Sequence, residues 1–272
     1  MRTHTTSKQS TALIIIDPQN DFMDQEGASL PVSGAVADMK RLARFVDEQG
    51  SKIDQIIVTL DTHVPDHIAH PMRWLDADGK NPAPFTTITA TDVEEGRFRA
   101  AISTDASWQR AYVRKLKDVG GKDLMIWPPH CIVNTHGWRI ESGILRALKG
   151  WAKSTGRSVT FVEKGRNRDT EQYGAFAADV VIPKCRSTYY NADLVGAIRR
   201  HARQLWAGEA LSHCLMASFD QAYGKANGIS EERAILADAT SPVTDFGEIA
   251  KDWLDAKRTE GVRLTTTAEL TL

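Results

Sequence analysis

The stretch TALIIID, Thr11 to Asp17, decides the fold. Five apolar residues follow one another with no polar alternation and end at an acid, which describes a strand covered on both faces, as in a parallel sheet. After it, Ser33 precedes a helical pattern with Val36, Met39, Leu42, Phe45 and Val46 on one side, closing near Gly50. QIIVTL, Gln55 to Leu60, is a second apolar run and ends at Asp61. Strand, helix and strand on short links form the βαβ unit of an α/β sheet.

Working outward, the alternation resumes far downstream. DLMIW (Asp123–Trp127) reads as a strand and Ser142–Ser154 as a helix presenting Ile144, Leu145, Leu148 and Trp151. SVTFVE (Ser158–Glu163) is a strand, Asn191 opens a helix through Ile198, and RQLWAG leads through a short strand. Cys214–Asn227 is expected to be helical, RAILAD a strand, Phe246–Glu260 a helix and VRLTT the last strand. The segment from about 65 to 121 breaks this rhythm: it has several prolines, few strand signals and one helical pattern around Trp108, Tyr112, Leu116 and Val119. It is expected to be a lid-like insertion over one end of the sheet, within a single domain spanning residues 1–272.

The 272 residues are 42% hydrophobic, enough for a sizeable core, and carry a formal net charge of −1. Such balance gives no general attraction to nucleic acid, and no apolar run is long enough for a membrane span. The opening MRTHTTSKQS is polar, without a secretory apolar segment, and is expected to be a loose tail. The cysteines are Cys131, Cys185 and Cys214, an odd and sparse set that suits a reducing cytoplasm better than a disulfide framework.

Ligands in open α/β sheets bind beyond the carboxyl ends of the strands. Those ends carry Asp17, Asp61, the Trp127–His130 segment and Lys164. In LDTHVPDHIAH, Asp61 and His63 lie two apart on an extended chain and can reach one cation, with His67 and His70 following. His130, directed by Pro128 and Pro129, is the candidate third ligand. An Asp-His-His set suits Zn²⁺, Fe²⁺ or Mn²⁺, or these could be ordinary polar loop residues. Cys214 is expected where a helix begins, a position that favours a thiolate and offers amides to an oxyanion, whereas Cys131 lacks a helical start. Asp17 and Lys164 are placed to attend that thiol, or to form a plain ion pair at the sheet rim.

Together these motifs resemble the nicotinamidases of the isochorismatase-like cysteine hydrolases. DPQNDF (Asp17–Phe22), DTH (Asp61–His63), WPPHC (Trp127–Cys131), EKG (Glu163–Gly165) followed by QYGAF, and GEALSHC through ADATSPV match in order from about Thr11 to Leu272. The resemblance implies three layers, with a mostly parallel six-stranded sheet between helices. It implies a catalytic triad of Asp17, Lys164 and Cys214, with an oxyanion hole from the Ala210 and Cys214 amides. Asp61, His63 and His130 would ligate a divalent metal, zinc foremost with iron or manganese as alternatives, and His67 could be a further ligand. Phe22, Trp127 and Tyr173 would bind the substrate ring. The implied reaction is hydrolysis of nicotinamide, or of pyrazinamide, by a cytoplasmic homo-oligomer; another small amide or a carbamoyl compound is the alternative substrate. Departures from the family pattern are the long insertion, Leu211-Ser212 where Thr-Asp is common, Gly174 in place of a serine, and the stretch around Cys185.

Overall fold

A computed structural model describes residues 10–224 and 231–272. The N-terminal tail, apart from Ser10, and the end of the expected Cys214–Asn227 helix lie outside the described residues. At the centre is a six-stranded sheet of β1 (Thr11–Ile16), β2 (Gln55–Asp61), β7 (Thr160–Lys164), β8 (Arg203–Gly208), β9 (Glu232–Leu236) and β10 (Arg263–Thr265). The strands are ordered β10-β9-β8-β1-β2-β7, and all the neighbouring pairs run parallel. Every residue of β1 is buried. Its period of two divides it between two cores, with Leu13 and Ile15 in one and Ala12, Ile14 and Ile16 in the other.

Helices α1 (Ala35–Gln49) and α4 (Ser142–Thr155) cover the first face, sending Met39, Leu42, Phe45, Ile144, Leu148 and Trp151 into it. Helices α5 (Ala192–Arg199), α6 (Met216–Tyr223) and α7 (Gly247–Thr259) cover the second through Val195, Ile198, Phe219 and Ala250. The expected three-layer α/β architecture is therefore present. Strand order reverses beside β1, which lies between β2 and β8, and the ends of β1 and β8 form the crevice of such a sheet.

Two expectations need correction. DLMIW is not a strand of the main sheet: only β6 (Leu124–Met125) forms, antiparallel to β4 (Thr87–Ile88) and apart from it. The two prolines that follow donate no N–H to a ladder, and the chain turns toward the site, with the Trp127 amide donating to the Ala69 carbonyl at 2.8 Å. Nor is the 65–121 segment poor in structure. It holds the β3 (Trp74–Asp76) and β5 (Phe98–Ala100) pair, α2 (Ala90–Glu94) and α3 (Ala106–Gly120). Two of its side chains tie it to the 165–180 loop: the half-buried Trp108 donates from Nε1 to the Asp169 carbonyl at 2.7 Å, and the buried Tyr112 accepts the Glu171 amide on Oη at 3.0 Å. Among the described residues, no helix is long and apolar enough to cross a membrane.

Candidate active site and metal centre

β2 and β7 pair in a register that sets Asp61 beside Lys164. β1 lies against β2 on its other side and delivers Asp17 one residue beyond its end. Asp17 stands at φ 41°, a left-handed conformation that bends the chain out of the strand. Its carboxylate is held by Thr59, whose hydroxyl donates to Oδ1 at 2.5 Å and accepts the Asp17 amide at 3.0 Å. Gln19 clamps the Asp61 backbone, accepting its N–H at 2.7 Å and donating to its carbonyl at 2.8 Å.

The Cys214 segment reaches the same point because β8 ends on a glycine. Gly208 has φ 108°, and a Cβ there would lie 2.1 Å from the Ile16 carbonyl oxygen, so only glycine allows this approach to β1. The chain then enters a wide π turn at Leu211–Leu215 that runs directly into α6. Cys214 therefore sits inside the first turn, not at the helix start expected from its sequence.

Lys164 is the hub. Its ammonium nitrogen lies 3.0 Å from Asp17 Oδ2, 3.1 Å from Asp61 Oδ1, 3.4 Å from Cys214 Sγ and 3.2 Å from the Gln172 carbonyl. All three charged side chains are buried. Burial alone would pull the lysine pKa down, but the two carboxylates outweigh it and hold the pKa well above the ordinary lysine value. Burial pushes the Cys214 thiol well above the usual cysteine range, with Lys164 opposing the shift and Asp17 and Asp61 adding to it. This runs opposite to the lowered thiol pKa expected from a helix start, because burial and the neighbouring carboxylates favour the neutral thiol. Asp17 is likewise raised, by burial first, with Lys164 pulling it down and Asp61 pushing it up.

Beside this cluster stand Asp61, His63 and His130, whose donor atoms lie within 4.8 Å of one another. A short parallel bridge between His63 and Ile132 brings His130 to the DTH segment. His63 Nε2 is 3.1 Å, and His130 Nε2 3.5 Å, from Asp61 Oδ2. Burial favours the neutral form of Asp61, but His63 and Lys164 outweigh it, and the carboxyl pKa is held well below its usual range. A buried carboxylate with two imidazole nitrogens turned to one of its oxygens is a donor set that fits a divalent cation. Cys131, next to His130, is fully buried at φ 47° and gives its amide to Asp21 Oδ2 at 2.6 Å, with burial raising its thiol pKa.

Phe22, Asp61, Trp127, His130, Tyr173, Ala210 and Cys214 line one small cavity. Phe22 meets His130 edge-on at 5.6 Å between ring centres, and Trp127 Nε1 donates to Tyr173 Oη at 2.9 Å. Every residue named from the sequence as catalytic, metal-ligating or ring-binding thus contributes to this cavity or touches one that does. Four cavity residues have no role assigned from the sequence, the apolar Leu30 and Val243 and the titratable His213 and Glu171. His213 packs edge-on to Trp127 at 5.1 Å and Phe246 at 4.7 Å; burial, with Lys122, lowers its pKa to about 4, so it is a neutral wall. Glu171 is a buried carboxyl whose pKa burial raises and His63 lowers. It lies in a loop, where no periodicity could have marked it.

No family model matches the chain. A nicotinamidase of Saccharomyces cerevisiae is 24% identical over 239 residues, 87% of this chain and 90% of that protein. The crystal structure of the yeast nicotinamidase bound to the inhibitor nicotinaldehyde superposes with a TM-score of 0.65 at 20% identity, over 94% of this chain and 99% of that one. A pyrazinamidase of Pyrococcus horikoshii in complex with zinc gives 0.56 at 18% identity, over 94% and 99%. The fold is the isochorismatase-like fold, and in sequence as in structure the chain is similar to nicotinamidases.

Proposed function

We propose that this chain is a metal-dependent cysteine amidohydrolase that converts nicotinamide to nicotinate and ammonia, and that it can accept pyrazinamide. One observation carries the reading: the Lys164 ammonium sits between Asp17, Asp61 and the Cys214 sulfur at 3.0–3.4 Å, beside His63 and His130. A rim ion pair would need neither a buried thiol nor the adjoining imidazoles.

Asp61, His63 and His130 would hold the divalent ion, zinc foremost, which when bound supplies a Lewis acid for the pyridine nitrogen. Phe22, Trp127 and Tyr173 flank the ring. Asp17 accepts the thiol proton of Cys214, and the sulfur attacks the carboxamide carbon. Lys164 offsets the negative charge that Asp17 and the sulfur exchange. The Ala210 and Cys214 amides receive the oxyanion, a contribution of about 2.7–4 kcal/mol per donor in comparable sites. Asp17 then gives its proton to the departing nitrogen, so that ammonia leaves and a Cys214 thioester remains. Water, deprotonated by Asp17, cleaves the thioester to nicotinate and restores the thiol.

A second reading has its own support. A cavity of about 800 Å³ adjoins the catalytic one, sharing Tyr173 and His213 and bounded by Lys122, Met125, Met216 and Phe246. It favours another amide or carbamoyl compound with a larger distal group. Ammonia release from nicotinamide, pyrazinamide, maleamate and carbamoyl compounds separates the two. Preference for the pyridine and pyrazine amides is expected; turnover confined to the others would replace nicotinamide as the substrate.

A further inference from the structure

We propose that His70 is a further protein ligand of the ion-binding site, and that His67, its neighbour in sequence, is not. The inference rests on the metal reading above and extends it to residues which that reading does not use. The rings of His63, His67, His70 and His130 form one buried cluster: centroids lie 5.3 Å apart for His63–His70, 5.8 Å for His70–His130 and 4.3 Å for His63–His67. Proximity does not choose among them, but hydrogen bonding does.

A carbonyl oxygen can only accept, so a ring nitrogen facing one must carry the proton, and the other nitrogen keeps the lone pair. His63 Nδ1 faces the Gly165 carbonyl at 3.1 Å, His130 Nδ1 the Pro128 carbonyl at 2.8 Å, and His70 Nδ1 the Pro65 carbonyl at 3.2 Å. In all three, Nε2 is therefore the donor available to a cation, oriented by a backbone carbonyl behind it, as ligating histidines are. His67 is the reverse case. Its Nε2 faces the Thr170 carbonyl at 3.1 Å, and its Nδ1 accepts the Ala69 amide at 3.3 Å, so both nitrogens are engaged and no lone pair is left.

His70 Nε2 is buried with no hydrogen-bond partner. A buried nitrogen lone pair without a donor is costly unless something occupies it. A nitrogen of His70 lies within 4.8 Å of one on His63, whose own donors lie within that distance of Asp61 and His130. His63 thus joins His70 to the Asp61 set. Four protein donors would fill a tetrahedral shell, so an ion that also accepts a substrate here must hold more than four ligands.

The test is competitive titration of the metal-free protein with Zn²⁺ against a chelator, together with the visible spectrum of the Co²⁺ form. The variants are His63→Ala, His67→Asn, His70→Asn and His70→Gln. Asparagine at 70 keeps a donor near the Pro65 carbonyl and removes Nε2; glutamine provides a second variant should the first fold poorly. The wild type is expected to take one ion and His63→Ala to lose it. Both His70 variants should bind at least about 10–100-fold more weakly, with a changed cobalt spectrum, whereas His67→Asn keeps the wild-type spectrum. Wild-type affinity and spectrum in both His70 variants would overturn this assignment alone. Failure of the wild-type protein to take up any ion would overturn the metal reading and this inference with it.

Discussion

Lys164 holds together a group of charges that would not otherwise tolerate burial. Two carboxylates at 3.0 and 3.1 Å share one ammonium out of contact with solvent. Removing one partner of such a buried cluster leaves the others uncompensated, so Lys164→Met should cost about 3–5 kcal/mol of unfolding free energy in denaturant titration. Cys214→Ala removes only a sulfur and should fold normally and keep its ion, while kcat falls by roughly 10⁴–10⁶-fold. Glu209, which precedes Ala210, the proposed oxyanion donor, gives a pH prediction remote from the proposed metal donors. It is fully buried and accepts the Ser241 amide at 3.2 Å; the carboxyls of Asp38 and Asp24 act on it, and Asp38 itself accepts from Arg41 and from the Ser241 hydroxyl. Burial, then Asp38, raises its pKa well above 4.5. The folded protein therefore retains a proton that the unfolded chain gives up near that value. Stability is accordingly fully present below it and declines as pH rises toward the folded pKa, by up to about 1.4 kcal/mol per pH unit. Glu209→Gln should flatten that decline in a pH series of denaturant midpoints; an unchanged slope would refute the protonated Glu209.

At the scale of elements, the close approach of β8 to β1 places the thiol segment over Asp17. Gly208→Ala would force a Cβ against the Ile16 backbone at 2.1 Å and should destabilise by at least about 1–3 kcal/mol, with activity falling further than stability alone explains. This scale also separates what could be read from the chain from what could not. The strands β1, β2 and β8 were legible because parallel strands buried on both faces are unbroken apolar runs bounded by polar residues. Helices α1, α4 and α7 were legible from their apolar stripes. DLMIW has the same local composition as a sheet strand, and its exclusion depends on the prolines and on a partner strand, Thr87–Ile88, far away in sequence. The site residues at strand ends, Asp17, Asp61 and Lys164, could be placed from topology. The raised thiol pKa could not, because it arises from burial and from carboxylates brought in by other strands. His70 had no mark in the sequence beyond its residue type; only its orphaned nitrogen distinguishes it from His67.

For the whole molecule, the strand order puts the reversal point of the sheet at the ends of β1 and β8, beside the 165–180 loop, which Trp108 and Tyr112 of the 65–121 segment brace by hydrogen bonds. The Lys164 cluster, proposed as catalytic, and the imidazole cluster meet there through one residue, Asp61, which faces Lys164 on one oxygen and His63 and His130 on the other. The metal-free protein should therefore lose amidase activity and also stability. Restoring an ion at about 100 times its Kd should recover close to 2.7 kcal/mol, read as a higher thermal midpoint, and an unchanged midpoint would count against an ion bound to the folded state. The most direct test of the account is the covalent step. Turnover of nicotinamide is stopped by rapid acid quench and the digested protein examined by mass spectrometry. A nicotinoyl group is expected on the peptide carrying Cys214, absent from Cys214→Ala and from the peptides carrying Cys131 and Cys185. Turnover with no acylated Cys214 at any quench time, or undiminished in Cys214→Ala, would contradict it.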